Sequence, residues 1–173
     1  MKSKILLSVI TVFFIFCFFV FFKGLDNSNN YIPGKNIGKK FPSFNAKSFY
    51  DERIINSDNI LIEEKIYLLN IWASWCLPCK KEHGFLMELS KNNSIKIIGL
   101  NYKDNLNNAK KFINDMGNPY SDILIDKDGV ISIELGAYGI PETLVFDKSK
   151  TILKKFVGPL NEQSFKEIKL LIK

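Results

Sequence analysis

The chain has 173 residues, enough for one globular domain plus a short additional segment. Its net charge of +6 comes almost entirely from lysine, and Arg53 is the only arginine. The lysines occur singly or in pairs, without the arginine-rich blocks with interleaved aromatics that bind phosphates and bases. The composition therefore argues against nucleic acid as a partner.

The first predicted element is a membrane anchor at 1–23. Eighteen residues from Ile5 to Phe22 carry no charge and include seven phenylalanines. As a helix they span about 27 Å, close to the thickness of a bilayer's hydrocarbon core. A cleavable signal peptide has a shorter apolar stretch followed by small residues, whereas Lys23 and then glycine, leucine and aspartate follow here. We therefore expect the anchor to stay uncleaved.

A linker at 24–40 and a globular domain at 41–173 complete the predicted organisation. The linker is polar and contains Pro33-Gly34, a composition typical of a flexible tether. Regular apolar patterning begins at Phe41. The domain is long enough to bury a core.

Within the domain, the apolar pattern predicts alternating strands and helices. An irregular or hairpin-like lead-in extends to Ile62, and residues 66–73 form a mostly apolar run suited to a strand buried on both faces. A helix follows from Cys76 to about Lys91. The remaining predicted elements are a strand at 95–100, a helix from Leu106 to Met116 ended by Gly117 and Pro119, a strand at 123–125, a helical or loop segment to Gly136, antiparallel strands at 143–146 and 152–157, and a final helix capped by Asn161.

The order of these elements predicts an α/β fold, with a central mixed sheet flanked by helices. In such sheets the reactive groups lie at the carboxyl ends of strands. Cys76 comes directly after the first long strand, so we expect the functional site there.

Cys76 and Cys79 form the most informative motif of the chain. At a helix N-terminus, the aligned peptide dipoles and free N–H groups stabilise a thiolate over a thiol. Such a thiolate can attack a foreign disulfide, and a second thiol nearby can then release the product. The pair therefore predicts thiol–disulfide exchange.

Two other interpretations of the cysteine pair are weaker. Cys17 lies in the apolar segment, so the globular part offers two cysteines and one histidine, His83, which is fewer than the four ligands of a structural zinc site. A structural disulfide gains most by closing a long loop, whereas a bridge from Cys76 to Cys79 closes almost nothing.

Several further segments match a known family. Asn101-Tyr102-Lys103-Asp104 and Tyr138-Gly139-Ile140-Pro141-Glu142-Thr143 are narrower signals than the tryptophan and C-x-x-C pair alone. With these motifs the chain resembles thioredoxin-fold proteins and, within them, the membrane-anchored thiol:disulfide interchange proteins of cytochrome c biogenesis, the DsbE/CcmG family. The matching segments are 70–76 with Cys79 and Glu82-His83, 99–104, 117–120, 128–129 and 135–143.

The resemblance implies the parts played by the central residues. Cys76 would be the attacking thiolate, partly exposed, and Cys79 the more buried resolving thiol, so that their redox-active disulfide serves without a further cofactor. Pro141 would be a cis-proline facing the pair. There the backbone of Ile140 would pair with an incoming peptide.

The resemblance also implies supporting residues. Trp75 is expected at the rim of the site, and the dipeptide Leu77-Pro78 differs from the Gly-Pro of thioredoxins, which leaves the redox potential open. Glu82 is either an acid that tunes the proton affinity of the cysteines or a solvated residue in the first turn of the helix. Glu142 is a second candidate acid.

The family implies reduction of the heme-binding C-x-x-C-H disulfide of apocytochrome c, with the heme-ligation machinery as a partner and recharging by a DsbD/CcdA-like membrane electron donor. A broader membrane-tethered reductase of envelope disulfides is the alternative. Lysines on both sides of the apolar segment do not decide its orientation. Because a tethered dithiol protein is most useful in an oxidising compartment, we expect the domain on the periplasmic side of the inner membrane.

Two other activities of the same fold are disfavoured. Peroxidases of the peroxiredoxin type need a threonine three residues and a proline seven residues before the cysteine, where this chain has Ala73 and Leu69. Copper chaperones need a C-x-x-x-C pair and a distal histidine. Here the spacer is one residue shorter, and no histidine follows His83.

Overall fold

The computed structural model describes residues 2–26, 37–63 and 65–172. The chain divides into two compact units, Met1–Ile32 and Pro33–Lys173. The first contains helix α1 (Lys2–Asp26), whose span Lys4–Lys23 includes an 18-residue window with a mean hydropathy of 3.0. By length and composition this helix can cross a membrane, as expected of an anchor. Most of the predicted linker, 27–36, lies outside the described residues.

The second unit contains a mixed sheet with helices against it. Its strands are β1 (Asn45–Ser48), β2 (Ile54–Asn56), β3 (Ile66–Trp72), β4 (Ile95–Tyr102), β5 (Asp122–Asp126), β6 (Glu142–Phe146) and β7 (Ile152–Val157). Its helices are α2 (Leu77–Leu89), α3 (Leu106–Met116), α4 (Val130–Glu134) and α5 (Glu162–Leu171). Across the sheet the strands follow the order β2-β1-β5-β4-β3-β6-β7.

Strand β3 lies in the interior of the sheet, between β4 and β6. It pairs parallel with β4 and antiparallel with β6, and β4 pairs parallel with β5. Leu68 and Trp72 face the core shared with α2, α3 and α5, whereas Leu69 and Ile71 face the core beneath α4. Because both faces are covered, β3 is an apolar run rather than an alternating one, as the sequence indicated.

Local capping explains where the helices begin and end. Asn105 accepts hydrogen bonds from two backbone N–H groups in the first turn of α3, and Gly117 ends that helix with φ of 89°. A left-handed residue at this position favours glycine. Asn161 and Ser164 form a capping box at the start of α5, so the predicted cap is confirmed.

The predicted elements are confirmed with small shifts at their ends. Strand β3 stops at Trp72, one residue earlier than expected, and β4 continues two residues further, to Tyr102. The lead-in contains a hairpin of β1 and β2. The boundary between linker and domain stays a prediction, although the Gly38 N–H donates to the Ile152 carbonyl at the start of β7.

Candidate active site

The cysteine pair lies at the junction between β3 and α2. Cys76 is the N-cap of α2, and it forms a disulfide with Cys79 in the first turn. The Cys79 N–H points at the Cys76 sulfur, 3.2 Å away. This is the position in which a helix N-terminus stabilises a thiolate once the disulfide is reduced, as the sequence predicted.

Both cysteines are buried in this oxidised state. Cys76 is 3% and Cys79 2% exposed, so the expectation of a partly exposed Cys76 is wrong here. The reason is that both belong to the apolar core that also contains Trp72 and Ala73. The neighbouring Leu77 is 63% exposed, so an incoming protein meets the surface of α2's first turn before it meets sulfur.

A carboxylate fixes the turn that precedes Cys76. Asp104 accepts hydrogen bonds from the Ser74 N–H (2.5 Å), the Ser74 hydroxyl (2.7 Å) and the Asn101 side-chain amide (3.0 Å). Next to it, the indole N–H of Trp75 donates to the Lys103 carbonyl at 3.1 Å. Trp75 is 59% exposed, which fits the predicted rim position. Sequence reasoning used Asp104 only as part of a family motif and missed this anchoring contact.

The loop before β6 comes to the same end of the sheet. The Ile140–Pro141 peptide bond is cis, as predicted, with Pro141 buried and Ile140 half-buried. Glu142, the next residue, pairs with Ile71 near the carboxyl end of β3. The register therefore places the cis-proline loop beside the strand that leads to the cysteines.

The side chains of Glu142 and Lys155 bind the backbone of that loop, and we call them the loop clamp. Glu142 Oε1 accepts from the backbone N–H groups of Tyr138 (2.8 Å) and Gly139 (3.3 Å). Its Oε2 lies 2.7 Å from Lys155 Nζ, and the two side chains are 1% and 3% exposed. Lys155 also donates to the Gly136 carbonyl at 2.6 Å. Glu142, predicted as a second candidate acid, thus has both oxygens engaged in shaping the loop.

Glu82 is a second buried glutamate in this part of the domain. It lies one helical turn after Cys79, on the same side of α2, and is 0% exposed. The interpretation as a solvated residue is therefore wrong. Burial raises the pKa of Glu82 to about 7, against the opposing effect of two hydrogen bonds, from the Leu160 N–H (2.7 Å) and the Asn70 amide (2.9 Å). Such a group gains and loses a proton near neutral pH.

Asn70 connects Glu82 to the rest of the site and was not singled out from the sequence. It sits fully buried on β3, donates to the Thr143 hydroxyl (3.0 Å) and accepts from the Tyr120 hydroxyl (2.9 Å). We call Glu82, Asn70, Tyr120, Thr143 and the Leu160 N–H the Glu82 network. The available signal was a polar residue inside an otherwise apolar strand.

His83 has a structural environment. Its Nε2 lies 3.0 Å from the Gly117 carbonyl, and its ring meets Phe112 edge to face at 5.1 Å. Burial lowers the pKa of His83. The side chain therefore ties α2 to the end of α3.

Comparisons with known proteins agree with this geometry. The Redoxin family model matches residues 36–171. The chain is 37% identical over 169 residues to the thiol:disulfide interchange protein DsbE of Pseudomonas aeruginosa, covering 96% of this chain and 91% of the relative. It is 38% identical over 149 residues to a probable thiol:disulfide interchange protein DsbE-2 of Pasteurella multocida, covering 85% and 77%. A crystal structure of a putative DsbE from Chlorobium tepidum superposes with a TM-score of 0.66 at 20% identity, covering 79% of this chain and 94% of that one, which supports the fold.

Proposed function

Because this chain belongs to the Redoxin family, among the DsbE thiol:disulfide interchange proteins, it is a thiol:disulfide oxidoreductase, and we propose that it reduces the heme-binding disulfide of an apocytochrome c. The observation that carries the proposal is the Cys76–Cys79 disulfide at the N-terminus of α2, flanked by a buried acid and a cis-proline loop. The substrate assignment is supported by the family motifs at 101–104 and 138–143.

The first step forms a mixed disulfide. Reduced Cys76, as the thiolate at the N-cap of α2, attacks one sulfur of the substrate's C-x-x-C-H disulfide. The bond from Cys76 to that sulfur forms as the substrate's S–S bond breaks. The departing substrate sulfur leaves as a thiolate and takes a proton from solvent.

The second step releases the reduced substrate. Cys79 transfers its proton to Glu82, and the resulting thiolate attacks the Cys76 sulfur. The Cys76–Cys79 disulfide forms, the second substrate sulfur leaves, and two electrons have passed to the substrate. A carboxyl group with its pKa near 7 suits this transfer, because it is ready to accept a proton at neutral pH.

The substrate peptide binds along the cis-proline loop. The backbone of Ile140 pairs with the extended peptide in a β-like manner, which places the peptide's disulfide against the cysteine pair. Tyr138 and Trp75, 69% and 59% exposed, offer apolar surface to the residues around it. The loop clamp holds this edge in shape before the substrate arrives.

Reduction of the substrate leaves this protein oxidised, so a membrane dithiol carrier of the DsbD/CcdA kind must return two electrons to Cys76 and Cys79. Helix α1 places this protein in the same membrane as the carrier, which raises the effective concentration of each for the other. In this proposal α1 is a single-pass anchor in the inner membrane, with the domain on the periplasmic side.

A trapping experiment tests the proposal. Cys79→Ser removes the resolving thiol, so the exchange should stop at the mixed disulfide. The full-length chain carries a Cys17→Ser change in both variant and control, since Cys17 is a free thiol in the anchor. We expect an apocytochrome c bearing an oxidised C-x-x-C-H motif to be captured, and the Cys76→Ser control to capture nothing.

The captured partners decide between the proposal and its alternative. If the trap holds varied envelope proteins and no apocytochrome, the protein is the broader membrane-tethered reductase. If purified apocytochrome forms no adduct while a general peptide disulfide does, the substrate assignment fails and the exchange chemistry stands.

A further inference from the structure

The polar side chains buried between α2 and the sheet form one connected set. Asn70 links Glu82 on one side to Tyr120 and Thr143 on the other, through hydrogen bonds of 2.9 to 3.0 Å. Asn70, Glu82 and Thr143 are 0% exposed and Tyr120 is 6% exposed. Because water does not reach these groups freely, each must find its partners within the network.

The orientation of the Asn70 amide decides what Glu82 experiences. An amide has an acceptor oxygen at one end and two donors at the other. An ionised carboxylate can only accept, so it is stabilised by the NH₂ end of Asn70 and repelled by the oxygen end. The Thr143 hydroxyl can donate or accept, so it permits both orientations.

Tyr120 favours one of the two orientations of the Asn70 amide. With the NH₂ end towards Glu82, the Asn70 oxygen needs a donor, and the Tyr120 hydroxyl supplies it at 2.9 Å. Burial and the charge of Glu82 raise the pKa of Tyr120 well above its usual range, so the hydroxyl keeps its proton wherever Glu82 titrates.

The ring of Tyr120 is itself held in place. It stacks on Trp72 with ring centroids 5.5 Å apart. A Cβ at Gly99 would lie 3.0 Å from its Cγ and 2.8 Å from the Trp72 indole nitrogen, so the glycine leaves room for both rings. The hydroxyl therefore points at Asn70 from a fixed position.

We propose that Tyr120 and Asn70 are positioning residues for Glu82: the Tyr120 hydroxyl holds the Asn70 amide in the orientation that donates to Glu82, and this keeps the carboxylate available as a proton acceptor. The orientation of the amide stands on the contacts above. Its consequence for Cys79 rests on the proposed function.

Among the groups that donate hydrogen bonds to Glu82, the Asn70 amide is the one whose orientation can change. Burial is the largest influence on the pKa of Glu82 and raises it, and the Leu160 N–H and the Asn70 amide lower it. Leu160, before α5, and Thr143, on β6, contribute groups that do not titrate. On α2, Cys79 is disulfide-bonded, and Lys80 and Lys81 are exposed to solvent.

The test is a titration of Glu82 in the oxidised, full-length protein in detergent micelles, labelled with ¹³C at the glutamate carboxyl and assigned by comparison with Glu82→Gln. Tyr120→Phe should move the midpoint upward by about half a unit, and Asn70→Leu by about one unit or more, because a hydrogen bond to a charged group is lost. Tyr67→Phe is the matched control. Tyr67 is a buried tyrosine on β3 whose hydroxyl donates to the Glu63 carbonyl instead, so its loss should leave the midpoint unchanged.

An unchanged midpoint in folded Tyr120→Phe overturns the inference. Should both network variants fail to fold, the wild-type protein decides: the side-chain NH₂ resonances of Asn70 should follow the Glu82 titration with the same midpoint, and NH₂ resonances that ignore it overturn the inference. No substrate enters these measurements. A shifted midpoint together with failed apocytochrome trapping would therefore remove only the proposed substrate.

Discussion

Glu82 and Glu142 are both buried glutamates near the cysteine pair, and they differ in what compensates their charge. Glu142 faces a lysine, with Lys155 Nζ 2.7 Å from its Oε2. Glu82 faces neutral donors, the Asn70 amide and the Leu160 N–H. Neutral donors offset only part of the cost of burying a charge, and the pKa of Glu82 accordingly rises to about 7.

The difference shows how one residue type serves two purposes in one site. A carboxylate paired with a buried lysine has a cation beside it, which suits it to holding the cis-proline loop. A carboxylate among neutral donors has two protonation states of similar free energy, which suits proton transfer to and from Cys79. The partner, rather than the burial, separates the two cases.

Removing the lysine of the loop clamp should have the largest effect on stability. Lys155→Met leaves the Glu142 carboxylate buried without its cation, which costs about 3–5 kcal/mol of unfolding free energy. Chemical denaturation of the full-length protein, followed by tryptophan fluorescence, measures it. Lys154→Met is the matched control, because the adjacent Lys154 pairs with Glu167 in a partly exposed ion pair.

The double variant Glu142→Gln/Lys155→Met refines this result. Because it removes both charges, it should recover most of the stability that Lys155→Met loses. A loss from Lys155→Met no greater than that from Lys154→Met would show that the buried pair does not hold the loop.

The second prediction concerns the pH dependence that Glu82 gives to stability. Its native pKa of about 7 lies above its reference value of 4.5, so the native state holds the proton more tightly than the unfolded chain. The free energy of unfolding should therefore fall by on the order of 3 kcal/mol as pH rises from about 4.5 to 7, and then level off. Glu82→Gln should remove this slope, whatever its effect at a single pH.

Denaturation curves at pH 5 and pH 8 test the slope. The stability of Glu82→Gln relative to wild type should increase between these two values. Parallel pH dependences in the two proteins would mean that burial does not raise the pKa of Glu82.

Part of the fold and the place of the site could be predicted from the sequence. The apolar stripe of α3 and its stop at Gly117 gave that helix its bounds, and the C-x-x-C spacing located the site. The partners of buried polar groups could not be predicted, because Asn70 meets Tyr120 and Thr143 from 50 and 73 residues away. An asparagine inside an apolar strand signals that partners exist without naming them.

The same limit applied to the two acids. Helical spacing placed Glu82 on the side of Cys79, but one of its two hydrogen-bond donors is the N–H of Leu160, 78 residues further along the chain. Two consecutive lysines in β7 gave no indication of which one turns inward. Lys155 pairs with Glu142 only because the register of β6 and β7 brings them together.

The smallest expected effect separates the two acids by kinetics. In the double variant Glu142→Gln/Lys155→Met the chemistry is intact but the loop is less well held, so KM for an oxidised C-x-x-C-H peptide should rise about five- to tenfold, on the order of 1 kcal/mol, with kcat within about twofold. Glu82→Gln should instead lower kcat at neutral pH and leave KM nearly unchanged, because it removes a proton acceptor and no peptide contact. Steady-state rates with a dithiol regenerating system measure both. The reverse assignment, with KM following Glu82 and kcat following the loop clamp, would mean that the lysine-paired carboxylate is the one that exchanges protons.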